Sequence, residues 1–282
     1  MTATRAFKQV DVFTPVPLMG NPVAVILDGE GLSTETMQAM ANWTNLSETT
    51  FVTPATDPAA DYAVRIFTPQ SELPFAGHPT LGTAHAVLEA GLASFNDGKI
   101  VQQCAVGLVE VSQSGTALSF RLPRYSFEDA PDIDSLASAL GAGAIVGTPQ
   151  IVNVGPRWMI AEIASVAILE ALSPDLASLA GYDRKHLTTG LTVFATGQDG
   201  DLMVRSFAPA DGVAEDPVCG SGNAAVAAYR LRLGQISAGS RYAVSQGRQV
   251  GRDGKVRVRI EGDSIHVGGE CVTVMEGIVR LP

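Results

Sequence analysis

Apolar and polar positions along the chain fall into many short runs of strand length, broken by a few longer segments of helix length. Residues 10–14 and 22–27 read as strands joined through Pro15, Pro17, Gly20 and Asn21, because a short apolar run bounded by turn formers has the length of a buried strand. Ser33 is placed to cap a helix over 34–42, with Met37, Met40 and Ala41 on one face. A β-branched run over 48–52 opens on Glu48, and a strand over 62–67 leads to a helix from Gly77 to Ala90, with Gly91 as its stop. Residues 101–122 predict two strands around a turn at Gly115. The pattern breaks over 123–131, which marks a domain junction.

The second half opens with a helix over 133–140 closed by Gly141, followed by a strand after Gly155 and Pro156. Ser173, Pro174 and Asp175 predict a helix start with Pro174 in its first turn, and Gly181 a stop. A hairpin over 191–195 and 202–207 leads to a helix-like run over 224–233. Strands near 242–245, 256–260, 265–267 and 271–279 finish the chain.

Two stretches repeat. Arg65, Phe67 and Pro69 lead to Gly77, His78, Pro79 and Thr80; Arg205, Phe207 and Pro209 lead to Gly220, Ser221, Gly222 and Asn223. Arg205 lies 140 positions after Arg65, and Gly220 lies 143 after Gly77. Solenoid repeats have periods of about 20–50 residues, so this spacing predicts two related domains. The expected fold is α+β: two similar domains related by internal duplication, each a mixed curled sheet or barrel around a central helix. Their expected extents are 1–125 and 126–282. Periodicity leaves open whether the final strand, near 272–282, returns to the first half.

Composition narrows the functions. Hydrophobic residues at 46% and charged residues at 17% describe a folded chain, and a net charge of −10 without a Lys/Arg run disfavours nucleic acid. Three cysteines without a C-x-x-C pair predict neither a disulfide framework nor a structural zinc site, and fit a reducing cytoplasm. No signal-peptide core or membrane span is expected, since no apolar run reaches about 18 residues.

The chemistry concentrates at the two glycine-led helix starts. First-turn N–H groups have no intrahelical acceptor and the helix dipole favours negative charge, so each start is a seat for a carboxylate or oxyanion. The acid–base candidates are Glu48, His78, Asp216 and Cys219, with the Ser221 hydroxyl as donor or relay. Asp216 before Pro217 also suits a turn, and a lone cysteine is often only a small buried hydrophobe. Residues 220–225 match G-x-G-x-x-A, but no Asp or Glu follows before Asp253 to take a ribose hydroxyl, so no dinucleotide is expected. No metal-ligand spacing is present, and no cofactor is expected.

These residues sit in longer motifs: Val-Asp-Val-Phe over 10–13 with Gly20, Asn21 and Pro22; Leu-Ser-Glu-Thr-Thr-Phe over 46–51; Phe-Ala-Gly-His-Pro-Thr-Leu-Gly-Thr over 75–83; Gly-Pro-Arg-Trp over 155–158; and Glu-Asp-Pro-Val-Cys-Gly-Ser-Gly over 215–222. With them the chain resembles the PhzF family of phenazine-biosynthesis-like isomerases, which share the diaminopimelate-epimerase-like fold. The resemblance implies a site in the cleft between two domains and isomerisation of a small, carboxylate-bearing cyclic metabolite by moving a proton between carbons. By that likeness Glu48, His78, Asp216 and Ser221 are catalytic, and Asn21, Gly77, Pro79, Thr80, Gly220 and Gly222 bind substrate. The amides of residues 220–222 are expected to hold its negative charge. A homodimer is also implied. Asn223 stands where the family often has His, which is expected to alter the cleft wall. Two alternatives remain: a racemase or epimerase using Cys219, although Ala76 occupies the place of the second thiol such enzymes need, and a metabolite-binding protein without catalysis.

Overall fold

The structure, a computed structural model, describes residues 3–141 and 145–282. The chain divides into two compact units, residues 1–121 with 268–282, and residues 122–267.

In the first unit β1 (Ala3–Val12), β2 (Asn21–Ile26), α1 (Thr34–Thr44), β3 (Glu48–Thr53), β4 (Tyr62–Phe67) and β5 (Glu72–Leu73) precede helix α2 (Gly77–Glu89). Then come β6 (Lys99–Cys104), β7 (Gly107–Ser114) and β8 (Ala117–Arg121). The second unit holds β9 (Ser126–Asp129), α3 (Ile133–Leu140), β10 (Ile145–Asn153), β11 (Arg157–Ile163), α4 (Val166–Ala171), α5 (Leu176–His186), β12 (Gly190–Thr196) and β13 (Leu202–Ala208). It continues with β14 (Val213–Asp216), α6 (Gly220–Arg232), β15 (Arg241–Gln246), β16 (Gly254–Glu261) and β17 (Ser264–Gly269), after which β18 (Cys271–Leu281) belongs to the first unit.

Pairing repeats strand for strand. In the first unit β18, β1, β2, β3, β4, β6, β7 and β8 lie in that order, with β2–β3 and β4–β6 parallel, the other pairs antiparallel, and β5 added on β4. In the second, β9, β10, β11, β12, β13, β15 and β16 follow the same order, with β11–β12 and β13–β15 parallel and β14 added on β13. The duplication is therefore one of whole sheets, with α2 and α6 in equivalent places.

Both central helices are buried on nearly every side, as helices without a polar face must be. The α2 sequence has no charged side chain before Glu89, and the α6 sequence none before Arg230. Helix α2 touches β1, β2, β3, β8 and β18, so the sheet curls round it; α6 touches β10, β11, β12 and β16. The opposite sheet faces are covered separately. Met37, Met40 and Ala41 of α1 pack with Ile26, Phe51, Phe67 and Leu281, and Leu136, Leu169, Leu179 and Tyr182 of α3–α5 pack with Met159, Val193 and Phe207.

Four details differ from the sequence reading. Strand β1 begins at Ala3, not residue 10, because its first half pairs with β18, Ala3 opposite Leu281. Residues 99–121 form three strands, with an additional tight turn that sets Cys104 opposite Gly107, whose φ is 105°. The stretch 123–131 contains β9, paired with β10. Asp175, not Ser173, caps α5, accepting from the N–H groups of Ala177 and Ser178. The helix therefore starts after Pro174, and it runs through Gly181 to His186.

Close approach of α2 to the sheet depends on Gly82. A Cβ there would lie 2.4 Å from Val23 Cγ1 and 2.9 Å from Val12 Cγ2. We expect Gly82→Ala to destabilise the protein by about 1–3 kcal/mol through overpacking. Gly181→Ala, mid-helix with open space around it, should stabilise by about 0.5–1 kcal/mol. Chemical denaturation of the two variants checks the contrast.

Candidate active site

Glu48 opens β3, and Val23 of β2 is its register partner. Side chains alternate across a strand, so Glu48 and Thr50 share a face, and Thr50 fixes that face to α2 by a 2.8 Å hydrogen bond with Thr83. His78 lies one turn before Gly82. The result is a contact of 3.4 Å between Glu48 Oε2 and His78 Nε2, with side chains 15% and 6% exposed. Burial pushes the Glu48 carboxyl up to about 7, opposed by the smaller downward pull of the Ser47 hydroxyl. A carboxyl poised there exchanges protons near neutral pH.

The first turn of α2 stands beside this pair. Ala76, the N-cap of α2, is extended and makes no side-chain cap bond. Gly77 and Pro79 are buried in this first turn, and Pro79 brings no N–H of its own. Asn21, 1% exposed, accepts from Ser47 at 3.4 Å and so borders Glu48. Thr80 departs from expectation. Its hydroxyl donates to the Ala76 carbonyl at 2.9 Å and accepts from Gln102 at 3.0 Å, so this side chain braces the helix from within.

In the second unit the equivalent helix start is capped. Cys219 Sγ accepts from the Gly222 N–H at 3.2 Å and lies 3.5 Å from Ser221 Oγ. A Cβ on Gly222 would stand 2.6 Å from Thr192 Oγ1 and 2.9 Å from Ser206 Oγ. Gly222 therefore differs from the expected anion-binding role: its amide serves the cap, and its α-carbon presses on the sheet. Gly220 and Ser221 form the turn that precedes it.

Trp158, 3% exposed, donates from its indole nitrogen to Ser221 Oγ at 3.0 Å. An indole only donates, so Ser221 accepts this bond and keeps its own O–H for Cys219 or a ligand. Asp216 ends β14, and its Oδ1 accepts from the Val218 N–H at 3.0 Å, the turn-forming bond that the following proline suggests. Asn223 does not form a wall: it is 1% exposed, and its amide donates to the Cys219 carbonyl and to Gln246 Oε1.

The structure thus brings Glu48 to His78 in the first unit, with Asn21 and Gly77 beside them. In the second it sets Asp216, Gly220 and Ser221 along one strap and helix start. Sequence reasoning assigned no role to Trp158; the signal was the Gly-Pro-Arg-Trp motif, whose partner is visible only in three dimensions. His85 stands apart from His78, 4.0 Å from Glu89. Among the described residues no three His, Cys, Asp or Glu side chains gather as a metal site, and no helix is long and apolar enough to cross a membrane.

A family model described as phenazine biosynthesis-like protein, PhzC-PhzF, matches residues 10–277. The chain is 36% identical to trans-2,3-dihydro-3-hydroxyanthranilate isomerase of Pseudomonas aeruginosa over 283 residues, covering 96% of this chain and 98% of that protein. It is 38% identical to antisense-enhancing sequence 1 of Schizosaccharomyces pombe over 289 residues, covering 97% and 98%. A crystal structure of a PhzF-family phenazine biosynthesis protein from Bacillus anthracis superposes with a TM-score of 0.84 at 25% identity, covering 98% of this chain and 99% of that one. A hydroxyproline epimerase from Agrobacterium vitis shares the fold alone, with a TM-score of 0.71 at 15% identity and coverage of 98% and 92%.

Raising a carboxyl in the folded state means that stability falls as pH climbs from the unfolded value, about 4.3, through about 7. Glu48→Gln should therefore melt higher than the parent at about pH 8.5, and the gain should close below about pH 4. Thermal melts across that range, with carboxyl 13C NMR of Glu48 titrating near 7, check the assignment.

Proposed function

The chain belongs to the PhzC-PhzF family of phenazine biosynthesis-like proteins and is an isomerase; from that premise we propose that it moves a proton between carbons of a small cyclic substrate bearing a carboxylate. The observation that carries this reading is the buried Glu48–His78 contact at 3.4 Å with a carboxyl near 7. The name of the Pseudomonas relative supplies the compound to try first, trans-2,3-dihydro-3-hydroxyanthranilate.

In this reading the reaction is general acid–base chemistry without a cofactor. Ionised Glu48 takes a proton from an sp3 carbon, and the C–H electron pair moves into the conjugated system. The same carboxyl then delivers the proton to a different carbon, so the net change is isomerisation and the enzyme ends as it began. His78, within reach of the Glu48 carboxyl, assists the transfer. Asp216 holds a polar substituent, Ser221 donates its O–H to developing negative charge, and the uncapped α2 start takes the carboxylate. The substrate supplies the acceptor that Ala76 does not.

A two-thiol racemase is disfavoured by the cap of α2. Ala76, at the α2 cap equivalent to Cys219, has no acidic group and so supplies no second thiol.

Incubation with trans-2,3-dihydro-3-hydroxyanthranilate in D2O should give an isomer carrying deuterium at one carbon, to the extent that the Glu48 carboxyl exchanges its proton with solvent before delivering it. Glu48→Gln should lower kcat by about 10³-fold and Cys219→Ala by less than about threefold. The parent rate should rise with pH through about 7, as the base ionises. Loss of exchange in Cys219→Ala with retention in Glu48→Gln would overturn the reading in favour of the thiol.

A further inference from the structure

The strap that carries Asp216 is pinned residue by residue. Arg205, 5% exposed in its side chain, forks onto Glu215 at 3.0 and 2.8 Å and also donates to the carbonyls of Leu169 and Leu172. Beneath Pro217 lies Gly247, with φ at 99°, where a Cβ would stand 2.4 Å from the Pro217 carbonyl oxygen. Beneath Val218 lies Gly254, where a Cβ would stand 2.2 Å from Val218 Cγ2. Both glycines belong to the turn end of β15–β16, in which Gln246 pairs with Gly254.

Gln246 is fully buried and uses both ends of its amide. Its Nε2 donates to the Asp216 carbonyl at 3.1 Å, and its Oε1 accepts from Asn223 Nδ2 at 2.9 Å. Asn223 in turn donates to the Cys219 carbonyl at 2.8 Å. One side chain therefore ties the residue that presents the Asp216 carboxyl to the first turn of the helix that presents Ser221. Buried amides with partners at both ends are costly to rearrange.

We infer that Gln246, acting through Asn223, is a positioning residue that holds Asp216 in register with Ser221 for the proton-transfer reaction. The inference rests on the isomerase reading of Asp216 and Ser221. Gln246 has no contact with the proposed reacting atoms; its effect is on where two of the substrate's partners stand. Misplacement by about 1 Å costs on the order of 10²-fold in rate.

The experiment compares Gln246→Met, similar in length with neither hydrogen bond, and Gln246→Glu. Gln246→Met should lower kcat by about 10²-fold, change KM by less than about threefold, and raise amide hydrogen exchange only over residues 216–223. A glutamate regains both hydrogen bonds only when protonated, since the acid O–H replaces the amide donor. The rate of Gln246→Glu relative to the parent should therefore rise as pH falls, a trend that lost packing would not produce. Parental kcat and parental exchange in Gln246→Met, or a Glu/parent ratio flat in pH, would overturn the inference. If the parent shows no turnover of trans-2,3-dihydro-3-hydroxyanthranilate, the proposed function fails separately. Exchange over 216–223 then decides whether Gln246 holds the strap: unchanged exchange refutes it, and a local rise retains it.

Discussion

Glu48 and His78 meet because helix α2 carries no side chain where Val12 and Val23 press on it. A backbone allowed that close, and tied to β3 by the Thr50–Thr83 bond, leaves its first turn at the height of the strand's first residue. The same closeness buries Glu48 and keeps its proton bound to higher pH than a surface glutamate. Packing and acidity are thus one constraint. Widening the helix–sheet gap would hydrate the carboxyl and separate it from the imidazole in a single movement.

The duplicated scaffold has been put to two different uses. Val23 faces Glu48 across β2 and β3; at the corresponding register Trp158 faces Gly190 across β11 and β12. A Cβ on Gly190 would lie 2.1 Å from the Phe207 carbonyl oxygen and 2.9 Å from the Trp158 indole, so the strand pairing and the indole together leave room only for glycine. Where the first unit places a raised carboxyl against His78, the second places an indole N–H against the Ser221 hydroxyl. The supporting devices match more closely than the chemistry. Arg65 forks onto Glu72 over the Phe67 ring, and Arg205 onto Glu215 over the Phe207 ring, at 5.1 and 5.0 Å from the ring centroids. Exposure separates them, since the Arg205 pair is nearly dry and the Arg65 pair is about a third exposed, so the second fork is the costlier to break.

Much of this is legible in the chain. Repeated Arg, Phe and Gly positions reveal the duplication because they mark strand ends and helix starts, which tolerate few residue types. Glu48 stands out because a carboxylate is foreign to a β-branched run. What stays hidden depends on distant partners. Thr80 and Gly222 resemble ligand-binding residues in sequence, and only Gln102, Thr192 and Ser206 turn them inward. Gly181 resembles a helix stop, but an exposed glycine costs a helix only about 1 kcal/mol, less than the packing of α5 returns. Gln246 gives no local signal, because its two partners lie 23 and 30 residues away.

The return of β18 to β1 has a consequence for biosynthesis. The second unit is one unbroken stretch, residues 122–267, and every strand pair within it is complete when that stretch has left the ribosome. Strand β1 is made first, yet its edge toward β18 stays bare until residues 271–281 have been translated. The unit carrying Glu48 and His78 therefore closes after its neighbour, with one strand edge unpaired until β18 arrives.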